Sequence, residues 1–278
     1  MGAAPPAPHR VAMHPMESGN SRGSSAHGER GSAARFKLLI AYDGTDFLGW
    51  QSQPGGKTVQ DAIETALCKI FKNEIRLHGA SRTDSGVHAS GQVAHFDAPW
   101  PHALGKLKDA INSLLPETIR ILSISKTKEN FHARFSAQGK RYVYQLKTAP
   151  ATPFESRYVC GLRCAIDLKK LKAALKLFVG KHDFTSFAGG VKEGEMAVKT
   201  IKRITLARKG AYLAITIVGS GFLYKMVRSL VGTALEVARG KLPLSRIREI
   251  LKSKKRTHEV ITAPAKGLRL EKVFYPGA

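Results

Sequence analysis

The chain has 278 residues, 43% of them apolar, enough to bury a substantial core as one large domain or two smaller ones. Its 45 Lys and Arg against 21 Asp and Glu leave a formal charge of +24, the balance of a protein that meets a polyanion or an acidic surface. This composition excludes disorder throughout and a collagenous or coiled-coil rod, and no run approaches the roughly 20 consecutive apolar residues of a membrane span. The N-terminal stretch lacks the apolar centre of a secretory signal. Three cysteines, Cys68, Cys160 and Cys164, are too few and too irregular for a disulfide framework and fit a reducing, cytoplasmic setting. Cys160 and Cys164 supply only half of a four-ligand zinc site, so no metal is expected.

Residues 1–34 are rich in Ala, Gly, Ser, Pro and His, with Val11 as their only β-branched aliphatic residue. Such a stretch buries too little to offset its ordering entropy and reads as a disordered extension. The run Phe36 to Tyr42 reads as a strand, closed by the turn signal Asp43-Gly44. Thr58 opens a helix with Asp61 as its capping partner, and Val59, Ile63, Leu67, Ile70 and Phe71 form its apolar face. Ile75 to Leu77 and Gln92 to Phe96 read as strands on either side of a polar loop. Leu104, Leu107, Ile111, Leu114 and Leu115 mark a second helix, and Ile119 to Ser125 a further strand.

The second half repeats this rhythm. Arg141 to Lys147 alternates as a strand with Tyr142, Tyr144 and Leu146 on one face. Asp167 caps a helix carrying Leu168, Leu171, Leu175 and Phe178 and ending at Gly180. Ile201 to Leu206 and Tyr212 to Val218 form a hairpin around Lys209-Gly210. A long helix is expected from about Phe222, a shorter one from Ser245 to Leu251, and a last strand from Leu268 to Phe274. The expected fold is therefore α+β: two similar halves, residues 35–138 and 139–278, sharing a largely antiparallel central sheet flanked by helices. A ligand is expected in the cleft between them.

Gly55-Gly56-Lys57-Thr58 imitates the end of a phosphate-binding loop, but the pattern requires a glycine where Gln51 stands, so it reads as a tight turn before a capped helix. The segment from Ala80 to Ala89 is more informative. Asp84 lies beside Ser85-Gly86, where a carboxylate is accessible as a nucleophile must be, although an Asp-Ser-Gly triplet taken alone reads first as a self-capping turn, which composition by itself does not overturn.

Arg82-Thr83-Asp84-Ser85-Gly86-Val87-His88-Ala89-Ser90-Gly91-Gln92 resembles the catalytic motif of the TruA family of tRNA pseudouridine synthases. Five further segments resemble the same family in order: Tyr42 to Gln51, Lys140 to Tyr144, His182 to Phe187, Gly221 to Arg228, and Ala263 to Leu268. The resemblance implies that uridine in the anticodon stem-loop of tRNA is isomerised to pseudouridine, without cofactor or metal, by a homodimer contacting one tRNA. It implies Asp84 as the nucleophile, Arg228 as the cation that keeps a carboxylate charged in a closed pocket, and Tyr142 as the aromatic against the target base. It places Arg82 in the stem, holding the place of the extruded nucleotide. Leu223, next to the start of the pocket helix, is positioned to line the uracil site. Arg228 is set among Phe222, Leu223, Met226, Val227, Leu230 and Val231, and an arginine so enclosed wants a buried anion.

His88 reads as a loop-ordering residue, Tyr144 and Phe222 as core aromatics. Ser81 and Ser85 depart from the family's usual glycine and alanine, both by small residues. A different class, a non-catalytic RNA-binding protein with the same fold, is separated by whether Asp84 is needed for product. Lysines and arginines around the second motif (Lys126, Lys128, Arg134, Lys140, Arg141) and near the C-terminus (Lys252, Lys254, Lys255, Arg256) fit a phosphate footprint.

Overall fold

The computed structural model of the chain describes residues 33–191 and 196–277. The expectation of disorder before Arg35 therefore lies outside the described residues, except at Ala33 and Ala34, and Ala34 is already the first residue of a strand, paired with Ala98. In chain order the elements are β1 (Ala34–Tyr42), α1 (Val59–Phe71), β2 (His78–Gly79), β3 (His88–Ala98), α2 (Leu104–Leu114), β4 (Ile119–Lys126) and β5 (Gly139–Lys147). They continue with β6 (Cys160–Gly161), α3 (Leu168–Lys176), β7 (Gly180–Asp183), β8 (Val198–Lys209), β9 (Tyr212–Gly219), α4 (Met226–Ala238), α5 (Leu244–Ser253) and β10 (Leu268–Phe274).

Local signals account for most of these. In β1 the alternate residues Phe36, Leu38, Ile40 and Tyr42 are buried, the period of two that a half-covered strand requires. Thr58 caps α1: its hydroxyl accepts the Asp61 amide at 3.1 Å and donates to the Asp61 carboxylate at 2.5 Å. Asp167 caps α3 by accepting the amides of Lys169 and Lys170. The glycine-rich segment before Thr58 is the expected tight turn, with Gly55, Gly56 and Lys57 all left-handed.

All ten strands belong to one sheet, ordered β4-β1-β3-β10-β5-β9-β8-β7, with β2 paired to β3 and β6 to β5. Among the described residues only the β10–β3 and β5–β6 contacts are parallel. The last strand thus lies between β3 and β5 and joins them. Its register sets Leu270 beside Ala89 on one side and beside Tyr142 on the other. The start of β3 and the centre of β5 are held at a fixed separation by this one strand.

Three expectations change. Ile75 to Leu77 is not a strand, because side chains of α1 take the hydrogen bonds that a neighbouring strand would have taken. Glu64 accepts the Leu77 amide at 2.9 Å and Gln60 donates to its carbonyl at 3.1 Å, leaving only His78–Gly79 to pair with β3. Helix α4 begins at Met226, not Phe222: Lys225 is left-handed and the Tyr224 carbonyl is taken by the Gly189 amide at 2.7 Å, so the helix cannot extend backwards. Two short strands, β6 and β7, carry no periodic signal of their own and form because β5 and β8 offer them an edge.

The join between β3 and β10 leaves no room at Gly91. A Cβ there would stand 2.1 Å from the carbonyl oxygen of Glu271 on β10. Gly91→Ala is expected to lower the unfolding free energy by about 1–3 kcal/mol, the usual cost of forcing atoms into a filled space. The measurement is the urea midpoint at unchanged slope, and an unaltered midpoint refutes the tight join.

Candidate active site

The loop from Ala80 to Val87, between β2 and β3, is bonded on both sides of Asp84. The Ala80 amide donates to the Val93 carbonyl at 2.7 Å. Gln92, fully buried, accepts the Ser81 amide at 3.2 Å and donates to the Ser81 carbonyl at 2.7 Å. The hydroxyls of Tyr42 and Thr83 meet at 2.7 Å, and the Trp50 amide donates to the Thr83 carbonyl. That bond needs close approach by the 44–51 segment: Gly49 has φ +96°, and a Cβ on it would lie 2.7 Å from the Thr83 carbonyl. Beyond Asp84, its carbonyl accepts the Val87 amide at 3.1 Å. His88 closes the loop, its Nδ1 accepting the Gly44 amide at 3.1 Å while Nε2 meets the carbonyls of Arg157 and Lys266 at 3.0 and 3.2 Å. Both ring nitrogens are engaged with backbone, which fits its reading as a loop-ordering residue.

Asp84 and Arg228 are brought together from positions 144 apart in the chain, with Nη1 donating to Oδ2 at 2.8 Å. Their side chains are only 12% and 15% exposed. The guanidinium is aimed by a second bond, from Nε to the Ala263 carbonyl at 2.8 Å, and the Ala263 amide in turn bonds the Arg228 carbonyl at 3.0 Å. Arg228 stands in the first turn of α4, where the helix dipole disfavours a cation. Desolvation adds to that cost, and the carboxylate offsets both. Arg228 engages only one carboxylate oxygen; among the described residues no donor reaches Asp84 Oδ1.

These residues open into a cleft of about 1070 Å³, ample for a nucleotide. Arg82, Asp84, Tyr142, Phe222, Leu223 and Arg228 all line it. Tyr142 is buried with its hydroxyl 2.8 Å from Ser81 Oγ, and burial pushes its ionisation up to about 12, so it is a neutral phenol near pH 7. Leu223 is buried in the wall, whereas Arg82 is exposed and without an acidic partner among the described residues. Tyr144 points elsewhere, its hydroxyl donating to the Pro264 carbonyl at 2.7 Å in the core. Phe222 packs against the core as expected and does more: it is half-buried, lines the cleft and sets its ring edge-on to Tyr142 with centroids 5.2 Å apart. Helix α4 starts after it, so the residue belongs to a turn that reaches the cleft. A shallower hollow between α2 and β4, lined by Lys108, Asp109 and Arg120 among others, brings no nucleophile and base together.

Sequence reasoning gave Lys140 to the general basic footprint and missed its place inside. It lies two residues before Tyr142 on β5, lines the cleft with Arg134 and Lys199, and has no carboxylate partner among the described residues. Burial first, and then the like charges of Arg134 and Lys199, lower its ionisation to about 8.

Residues 38–136 and 174–276 match the family model of tRNA pseudouridine synthases, and the chain belongs to that family. Its fold is the pseudouridine synthase fold, and the reaction is an isomerisation of uridine in tRNA. The tRNA pseudouridine synthase A of Akkermansia muciniphila is 43% identical over 253 residues, covering 87% of this chain and 95% of that one. The proteins of the same name from Streptococcus mutans and Latilactobacillus sakei are 39% and 43% identical, each match covering 87% of this chain and 98% of the relative.

Lys140 gives a stability prediction with a definite sign. Its folded value near 8 lies below the ordinary 10.5, so between those pH values the unfolded chain binds a proton that the folded chain releases. Stability from this group is therefore lowest below about pH 8 and recovers as pH rises towards 10.5. Lys140→Met is expected to raise the melting temperature at pH 7 more than at pH 9.5. An equal shift at both pH values, or a loss at pH 7, contradicts an uncompensated ammonium.

Proposed function

We propose that Asp84 is the nucleophile of this synthase and that its target uridines lie in the anticodon stem-loop of tRNA. The observation that carries the assignment is the Arg228–Asp84 pair: one oxygen is neutralised by the guanidinium at 2.8 Å and the other is left free in a nucleotide-sized cleft. That oxygen can attack C1′ of the ribose or the uracil ring, and either route ends with the N1–C1′ bond broken, the base turned, and a C5–C1′ bond formed. The C5 proton leaves and N1 gains one, so no atoms are exchanged beyond protons and no redox partner enters.

The other residues take roles that fit their positions. Tyr142, a neutral phenol, packs on the base and can pass a proton; Leu223 walls the uracil site. Arg82, exposed at the cleft, fills the gap left in the stem by the extruded nucleotide, whose lost stacking costs a few kcal/mol. The enzyme acts in the cytoplasm as a homodimer, one tRNA bridging both subunits; the reducing-compartment cysteine pattern and the charge of +24 support a cytosolic, tRNA-bound setting.

Asp84→Asn is expected to keep tRNA affinity within a few-fold while tritium release from C5-labelled uridine falls by roughly 10³-fold or more, as when a nucleophile is removed. Undiminished release would leave a non-catalytic role for Asp84. Arg228→Ala should lower kcat by a larger factor than it weakens binding, roughly 10²-fold for a lost electrostatic and positioning contact; the reverse pattern would make it a phosphate contact. Mapping pseudouridine in bulk tRNA from a strain lacking the protein tests the stem-loop assignment, and sedimentation of the free enzyme tests the dimer.

A further inference from the structure

The turn between β4 and β5 carries an aromatic surface that neither the core nor the reaction above uses. Phe135 is 77% exposed, yet it does not sit on a loose tip. The amides of Arg134 and Phe135 both donate to His132 Nδ1, at 3.1 and 3.3 Å. The His132 amide donates to Ser136 Oγ at 3.0 Å, and the Ser136 amide returns to the His132 carbonyl at 2.9 Å. Between them Ala133 is tied at both ends, its amide to buried His95 Nδ1 at 3.2 Å and its carbonyl to the Tyr275 hydroxyl at 2.6 Å. A fixed turn thus holds an apolar ring outwards, with much of the ordering entropy of a contact already spent.

The ring has backing. Phe135 packs on His132 with centroids 4.3 Å apart, and His132 packs on His95 at 4.7 Å and His78 at 5.7 Å. The Arg134 guanidinium lies 5.8 Å from the Phe135 centroid. Burial and the neighbouring imidazoles lower the ionisation of His95 to about 4, and burial lowers that of His132, so these two rings are uncharged and aromatic near neutral pH. Nδ1 of both is occupied, and among the described residues no three His, Cys, Asp or Glu side chains are placed to hold a metal ion. The surface begins at the cleft: Arg134 lines it, and His78 adjoins Gly79 of its wall.

An exposed aromatic face flanked by arginine, at the rim of a cationic cleft, matches the chemistry of an unstacked base and its phosphate. Arg134 beside the ring and the cationic cleft it borders, with Lys140 and Lys199, complement a phosphate, which favours nucleic acid as the occupant. We propose that Phe135, backed by His132, is a stacking platform for an unpaired nucleobase of the substrate RNA, distinct from the base taken into the cleft, with Arg134 meeting the adjoining phosphate. The proposal rests on the reading above that an RNA loop enters the cleft.

The test is a mutant cycle on affinity, using full-length enzyme and synthetic anticodon stem-loops, one unmodified and the others each abasic at a single unpaired position. Phe135→Ala is expected to weaken the unmodified RNA roughly tenfold, within the range of one base–aromatic stack. Phe135→Trp should retain affinity. One abasic position should reproduce the loss in the wild type and add nothing in Phe135→Ala, while tritium release at saturating RNA keeps its kcat and only KM rises. Additive losses at every abasic position, or unchanged affinity with a shifted monomer–dimer equilibrium, would overturn the platform. Absence of tritium release from wild-type enzyme on these RNAs would instead strike the stem-loop assignment and leave the binding cycle to be read on its own.

Discussion

A carboxylate and a guanidinium are removed from water together in this molecule, and the architecture is organised around doing so. Neither Asp84 nor Arg228 is tolerable alone at about an eighth exposure, since an unpaired charge there costs several kcal/mol. Bringing them to 2.8 Å requires the 80–87 loop and the start of α4 to be placed to within a few tenths of an ångström. The loop is placed by Gln92, Thr83 and His88, the helix by the two-way bond between Arg228 and Ala263.

The sheet supplies the common frame. Because β10 lies between β3 and β5, the Asp84 loop and the Tyr142 strand are both referenced to residues 268–270, and the last strand completes the cleft as well as the core. β3 and β5 could not slide or separate without breaking these pairings. The rigidity suits a reaction in which one group must attack while the detached base turns within a confined space and is recaptured.

The cleft is also a place where binding is favoured over stability. Lys140, Arg134 and Lys199 converge without a described acid among them, and Lys140 is partly stripped of water as well. Such a cluster opposes folding in the free protein and is relieved when a polyanion arrives. The surplus of +24 in the composition is therefore partly a designed local imbalance at the site and not only a solvated surface.

Much of this was legible in the residues. Period-two burial in β1, the Thr58 and Asp167 caps and the apolar stripe of α2 are local matters, decided by neighbours in sequence, and they appear where the pattern puts them. The motif segments likewise contain Asp84, Arg82, Tyr142, Leu223 and Arg228, and the fold collects all five in one cleft. The sequence alone could not place Ile75 to Leu77 outside the sheet, because the groups that satisfy Leu77 belong to the preceding helix. Nor could it move the start of α4 past Phe222, put that ring against Tyr142, strip Lys140 of water, or stack three histidines beneath Phe135. Each of those depends on contacts between residues far apart in the chain, whose distances are set only when the sheet closes.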